Sequence, residues 1–218
     1  VPSGLQVVFE AGVFIAATWL SGVLGEIYQA ANQIALSIAT LTFMIANGMS
    51  VVAMIRVGNY KGLEDYISLR RVAISIFLFI LLTQGVLGGL MGLLRYQLPA
   101  LFLDTDKLSS ATNIGLVIEE SAHLLLIAAL FQIVDGLQTV ALGALRGLQD
   151  AKVPMILSFI SYWIIAFPIC YYLGLHTPLK TTGIWIGLLI GLAFSALLQT
   201  SRFLLLSGRL IKNHPTKN

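Results

Sequence analysis

The chain has 218 residues, of which 57% are hydrophobic and only 11% charged, with a net charge of +3 and a mean hydropathy of +0.89. A soluble domain carries about 25% charged residues, so this composition excludes a soluble globular fold, which would have nothing to cover its surface. Basic residues flank apolar runs rather than forming one exposed face, which argues against a nucleic-acid partner. Cys170 is the only cysteine, so an intrachain disulfide and a cysteine-built metal centre are excluded as well.

Apolar runs of about 20 residues match a hydrocarbon core roughly 30 Å thick at 1.5 Å per residue. They predict an all-α integral membrane protein with six spans, at about 4–24, 34–55, 72–94, 121–145, 154–173 and 183–206. The first span carries Glu10. Asn32 and Gln33 enter the second, and Asn47 and Ser50 lie near its far end. Gly85, Gly88, Gly89 and Gly92 in the third predict close helix packing. The connection from Arg95 to Glu120 holds Pro99, Asp104, Asp106 and Lys107, and its stretch 98–103 is expected to rest at the membrane interface. The fourth span carries Asp135. Pro168 is expected to kink the fifth, the sixth carries no acid, and 207–218 reads as a short disordered tail. No strand alternation competes with this pattern.

Lys and Arg are distributed unevenly between the two sets of helix ends. Arg56, Lys61, Arg70, Arg71, Arg146, Lys152, Arg202, Arg209, Lys212 and Lys217 belong to one side, and Arg95, Lys107 and Lys180 to the other. Ten against three predicts that the first set, and both ends of the segment, are cytoplasmic.

A carboxylate at bilayer depth is costly unless paired, protonated or wetted, which makes Asp135 a functional candidate. Gln132, Asp135 and Thr139 share one helical stripe, with Gln138 beside it. A polar stripe through a membrane helix reads as a pathway. Glu10 lies about 10 Å from the basic ends and Asp135 about 15 Å, at 1.5 Å per residue. Similar depths on two helices let the two acids share one water-filled cavity. No phosphate-binding loop, nucleophile–base set or metal-ligand cluster is visible, which points to transport rather than catalysis. Glu119, Glu120 and His123 lack the two-histidine spacing of a zinc helix and read as a solvated helix start.

The chain begins Val-Pro-Ser-Gly rather than with Met, which suggests part of a larger transporter. Residues 2–10 followed by Gln29-Ala30-Ala31-Asn32-Gln33-Ile34-Ala35-Leu36 resemble the seventh and eighth helices of multidrug and toxic compound extrusion (MATE) transporters. The run 50–58 with Gly62 is similar to the loop after that family's eighth helix. Phe131-Gln132, Asp135-Gly136, Gln138 and Gly143-Ala144-Leu145-Arg146-Gly147, with Asp150 and Pro154, resemble its tenth helix and following loop. Tyr162-Trp163, Pro168 and Tyr171 resemble the eleventh, and 183–188 the twelfth. The resemblance covers nearly the whole chain in order. Its nearest branch is the bacterial NorM-like one, because Glu10 and Asp135 are both present.

The resemblance implies that 1–218 is the C-terminal six-helix lobe of a twelve-helix, two-lobe fold, with an N-terminal six-helix lobe as its missing partner. It implies efflux of organic cations and amphipathic drugs across the bacterial inner membrane by antiport with Na⁺ or H⁺, without another cofactor. Glu10 and Asp135 would bind the coupling cation, Na⁺ included. Gln6, Phe14, Asn32, Asn47, Phe131, Gln132, Gln138, Thr139 and Tyr162 are candidate cavity or substrate contacts. Phe131 stands where some relatives have Tyr, which leaves the choice of coupling ion open. Asn32 and Asn47 could equally serve interhelical hydrogen bonding, and Phe14, Trp19 and Tyr162 could stack on a cationic drug, although packing explains them better. Arg146 and Asp150 read as an i,i+4 surface pair. The alternatives are a flippase of the same superfamily for a lipid-linked or anionic substrate, or a half that does not transport.

Overall fold

The computed structural model describes residues 2–102 and 111–213. The chain runs through α1 (Pro2–Leu24), α2 (Glu26–Gly62), α3 (Tyr66–Leu93), the short α4 (Gln97–Ala100), α5 (Ala111–Gly147), α6 (Lys152–Phe159), a π-helical segment (Ile160–Ala166), α7 (Phe167–Leu175) and α8 (Lys180–Asn213). Taking α6, the π segment and α7 as one, six helices are long and apolar enough to cross a membrane. Helices outrun their apolar spans because backbone groups near the headgroups are satisfied by continuing the helix. The expected tail is therefore helical as far as Asn213. Asp104, Asp106, Lys107, Leu103 and the last five residues, Lys217 among them, lie outside the described residues.

The turns explain how long helices reverse without exposing their ends. Gly25 joins α1 to α2 at φ 123°, a backbone conformation that favours glycine. Glu64 and Gln149 follow α2 and α5 at φ 57° and 63°. Behind each, the next amide reaches back across the last turn, Asp65 N–H to the Tyr60 carbonyl and Asp150 N–H to that of Leu145. These are left-handed helix stops that satisfy the terminal carbonyls. Asp65 then caps α3 by accepting from the Ser68 amide at 3.0 Å.

α5 is the central helix, packed against α2, α3 and α8. Its close seam with α2 depends on missing side chains: a Cβ on Gly147 would stand 2.6 Å from the Met54 carbonyl oxygen. In α3 only Gly88 makes the close approach expected of its four glycines, against the Ala129 carbonyl, while Gly85 and Gly89 face open space. Periodicity could not tell which glycines face a neighbour. Buried apolar residues form two clusters. One gathers Val13, Leu20, Ile34, Phe131, Trp185 and Leu192, and the other Val57, Leu69, Ile80, Leu145 and Phe203. On α5 the polar run 132–139 falls between them.

The basic ends meet as the charge pattern requires. Lys61 Nζ donates to the Leu148 carbonyl at 2.8 Å, and Arg202 Nε pairs with Asp150 Oδ2 at 2.5 Å. At the opposite end, Lys180 Nζ contacts Tyr28 Oη at 2.5 Å. The expected Arg146–Asp150 surface pair is not formed. Asp150 follows the left-handed stop at Gln149, which turns it toward α8, and Arg146 points back into the bundle.

Pro168 marks the turn ahead of it. It has no N–H for the Ile164 carbonyl and its ring crowds that turn. The helix there widens, and Phe167 N–H bonds the Tyr162 carbonyl five residues back. Gly191 of α8 accommodates the wider turn, since a Cβ there would meet the Ser161 carbonyl oxygen at 2.8 Å.

Candidate functional site

Three elements converge on one polar site. α1 supplies Gln6 and Glu10, one turn apart on one face. α5 supplies Asp135, Gln138 and Arg146. The π segment supplies Tyr162, which is 1% exposed. Its hydroxyl lies 2.9 Å from Gln138 Oε1 and 3.4 Å from Glu10 Oε1, donating to each in turn. A phenol has one proton and can fully serve one acceptor at a time. Trp163, next in the π segment, donates its indole N–H to the Phe9 carbonyl at 3.1 Å and so fixes α1 against the fifth span.

Asp135 is 6% exposed, and among the described residues no donor is hydrogen-bonded to its carboxylate. It lies close enough to Glu10 and to the Tyr162 hydroxyl for its charge to be felt at both. Arg146 Nη2 donates to Gln6 Oε1 at 3.4 Å, and its charge also reaches Glu10. The site thus gathers two carboxylates against one guanidinium. Several of its polar atoms are buried without a partner: Gln6 Nε2, Gln138 Nε2 and Arg146 Nε. Buried polar atoms of this kind normally carry a hydrogen bond, so the site has capacity for a ligand or water. A buried anionic carboxylate needs a positive partner.

The other sequence candidates are distributed elsewhere. Gln132 faces away from the acids, donating to the Gln84 carbonyl at 3.4 Å, while Gln84 donates to the Thr42 carbonyl at 3.2 Å. Thr139 is buried, and its carbonyl accepts from Ser50 Oγ at 2.7 Å. Asn32 accepts the Trp185 indole N–H at 2.9 Å, and its amide lies 3.5 Å from Thr18 Oγ1. Phe131 stacks edge-on with Phe14 and with Trp185, at centroid distances of 5.9 and 5.7 Å. Phe14 also lines a groove of about 400 Å³ with Thr18, Trp19, Gln29 and Gln33. Asn47 is exposed on α2. Among the described residues no cluster of three His, Cys, Asp or Glu could hold a metal by itself.

Arg146 is the member that the sequence reading left outside the site. A signal existed: it lies 11 residues after Asp135, three helical turns at 3.6 residues per turn, and so returns to nearly the same face.

Comparison with known proteins agrees with this architecture. The sequence model of the MatE family matches residues 2–172. The chain is 39% identical over 215 residues to a probable multidrug resistance protein NorM of Xylella fastidiosa, covering 98% of this chain and 44% of that protein. It is 42% identical over 197 residues to the probable NorM of Rhodopseudomonas palustris, covering 90% and 40% respectively. Among solved structures, it resembles an outward-facing multidrug resistance MATE family transporter of the MOP superfamily (TM-score 0.85, 18% identity, 97% of this chain and 46% of that one). An inward-facing structure of such a transporter matches with a TM-score of 0.81 at 19% identity, over 97% and 47%. The chain spans less than half the length of the curated relatives it matches. With its six apolar helices and a family match over most of its length, it belongs to the MatE family of multi-pass membrane transporters.

Proposed function

We propose that this chain is the C-terminal lobe of a cation-coupled exporter of organic cations and amphipathic drugs, with Glu10 and Asp135 as its cation-binding acids. The observation that carries this reading is the convergence of two mid-span carboxylates, one without a hydrogen-bond donor among the described residues, on a single buried site. Ionised, they outnumber the one guanidinium and leave an excess negative charge for one cation. A proton or Na⁺ satisfies that charge, and so does a cationic drug. These ligands compete, which is the physical basis of antiport: the coupling cation entering from outside expels the drug, and the drug entering from inside expels the cation. Tyr162 and Gln138 supply neutral oxygens beside the acids, and Gln6 and Arg146 close the site toward the basic ends. The identity of the coupling ion, Na⁺ or H⁺, follows from whether those oxygens complete a shell around a metal ion.

The reading includes an N-terminal six-helix lobe as partner. α2 exposes Gln33, Thr40, Met44 and Asn47 along one face, and amides at bilayer depth are disfavoured against lipid. A second lobe, or a water-filled cavity between lobes, answers that requirement. The positive-inside bias places the basic ends, with both ends of this segment, in the cytoplasm of a bacterial inner membrane. A flippase for anionic substrates is the weaker reading, because the inward-pointing Arg146 is opposed by two acids.

Asp135→Asn in the full-length transporter, reconstituted in vesicles, is expected to fold and to lose ion-driven efflux of an organic cation such as ethidium. Unchanged ion-driven efflux would refute the assignment.

A further inference from the structure

At the basic end of the bundle, away from the acids, α3 and α8 enclose a groove of about 340 Å³ lined by Ile67, Arg70, Arg71, Ile74, Ser75 and Ile211. Its chemistry changes along its length. Arg70 leans across to α8, where its Nη1 lies 3.7 Å from the position of a Cβ on Gly208. Among the described residues Arg70 has no carboxylate partner. Arg71 is exposed and feels the charge of Asp65, whose carboxylate is already engaged by the Ser68 amide. Both arginines sit in the second turn of α3, and an anion between them would answer their unpaired charge.

Toward the membrane centre the same faces become mainly apolar, with the exposed Ser201 as the polar residue between Leu197 and Leu205 on α8. Ile74, Leu78 and Leu82 follow one another on α3 with exposures of 38, 63 and 69%, and Leu205 and Leu197 on α8 are 62 and 64% exposed. Two cations at the mouth of an apolar furrow match one chemical class, a phosphodiester head carrying acyl chains. A second protein chain would need a continuous polar or apolar face, and a free anion would gain nothing from the furrow.

We propose that the α3–α8 groove is a binding site for an anionic phospholipid, with Arg70 and Arg71 on its phosphate, Ser75 beside them, and its chains along Ile74, Leu78 and Leu205. Basic pockets between membrane helices are suited to such heads. The lipid would clamp the start of α3 to the end of α8, a pair joined there by few direct polar contacts.

The test is native mass spectrometry of the full-length protein released from vesicles of phosphatidylglycerol and phosphatidylcholine in equal parts. The expected result is selective retention of phosphatidylglycerol. At about 1 kcal/mol per basic residue near an anionic lipid surface, Arg70→Gln with Arg71→Gln lowers that selectivity about thirtyfold. Arg70→Lys with Arg71→Lys keeps most of it, and Arg56→Gln, on α2, leaves it unchanged. A further arm adds inorganic phosphate in excess. Displacement of the lipid by phosphate alone would identify a free-anion site and overturn the proposal, as would equal retention of both lipids or full selectivity in the double glutamine variant. None of these outcomes depends on transport, so failure here leaves the acid site untouched.

Discussion

Removing the Tyr162 hydroxyl isolates one contact of the acid site without disturbing its packing. Tyr162→Phe keeps the buried ring and deletes the only bond to Gln138 Oε1 among the described residues, 2.9 Å long. The 3.4 Å contact to Glu10 lies beyond the usual range for O–H···O bonds, so the stability cost comes chiefly from Gln138. Gln138 is fully buried and its Nε2 is already without a partner, so the substitution strands both ends of one amide. A lost hydrogen bond between membrane helices averages about 0.6 kcal/mol and reaches about 1.7, and a stranded buried acceptor adds toward the upper figure. The expected loss is about 1–2 kcal/mol. Replacing both partners with apolar groups is far less costly than replacing one. Tyr162→Phe with Gln138→Leu should therefore be more stable than Tyr162→Phe alone. A double-mutant cycle on the full-length protein in detergent, read by reversible unfolding, measures the coupling directly. Additive losses would refute the bridge between α5 and the π segment.

Two further outcomes follow from local structure. Pro168→Ala returns an N–H to the Ile164 carbonyl and lets the π segment tighten toward α-helix, which shifts Tyr162 along and around the helix; in that background Tyr162→Phe should cost well under half of its cost in the wild type, and an unchanged cost would show that the wide turn does not position the phenol. Asp65 titrates below the ordinary carboxylate value of 3.8, held there by hydrogen bonds from Ser68. Its folded value is depressed, so its stabilisation of the α3 start is present above pH 3.8 and is lost as the pH falls through the folded value; the stability difference from Asp65→Ala should shrink over that acid range, and a constant difference from pH 6 to pH 2 would count against the cap.

Much of the fold was legible in the chain itself. Spans and the grouping of basic ends follow from local hydropathy and charge, because the bilayer acts as a solvent on each segment separately. Glu10 and Asp135 stood out for the same reason: a charge in an apolar run is costly wherever the helix turns. The rotation of α5 was not legible. Gln132 and Asp135 sit on one broad stripe, yet Gln132 turns to Gln84 and Asp135 to the acid site. A stripe about 100° wide is shared between different neighbours once several helices surround it. Arg146 was assigned to the surface because it follows the apolar run, but its long side chain reaches back along the helix to Gln6.

The sequence by itself determined the class of the molecule, its six membrane helices and the two carboxylates that stand out within them, all consequences of transfer free energies that act residue by residue. Only the tertiary structure decided that Tyr162 of the π segment lies against both Gln138 of α5 and Glu10 of α1. That contact depends on a π-helical turn ahead of Pro168 and on the glycine in α8 that makes room for it. A pattern read at 3.6 residues per turn contains neither the wider turn nor the neighbour that permits it.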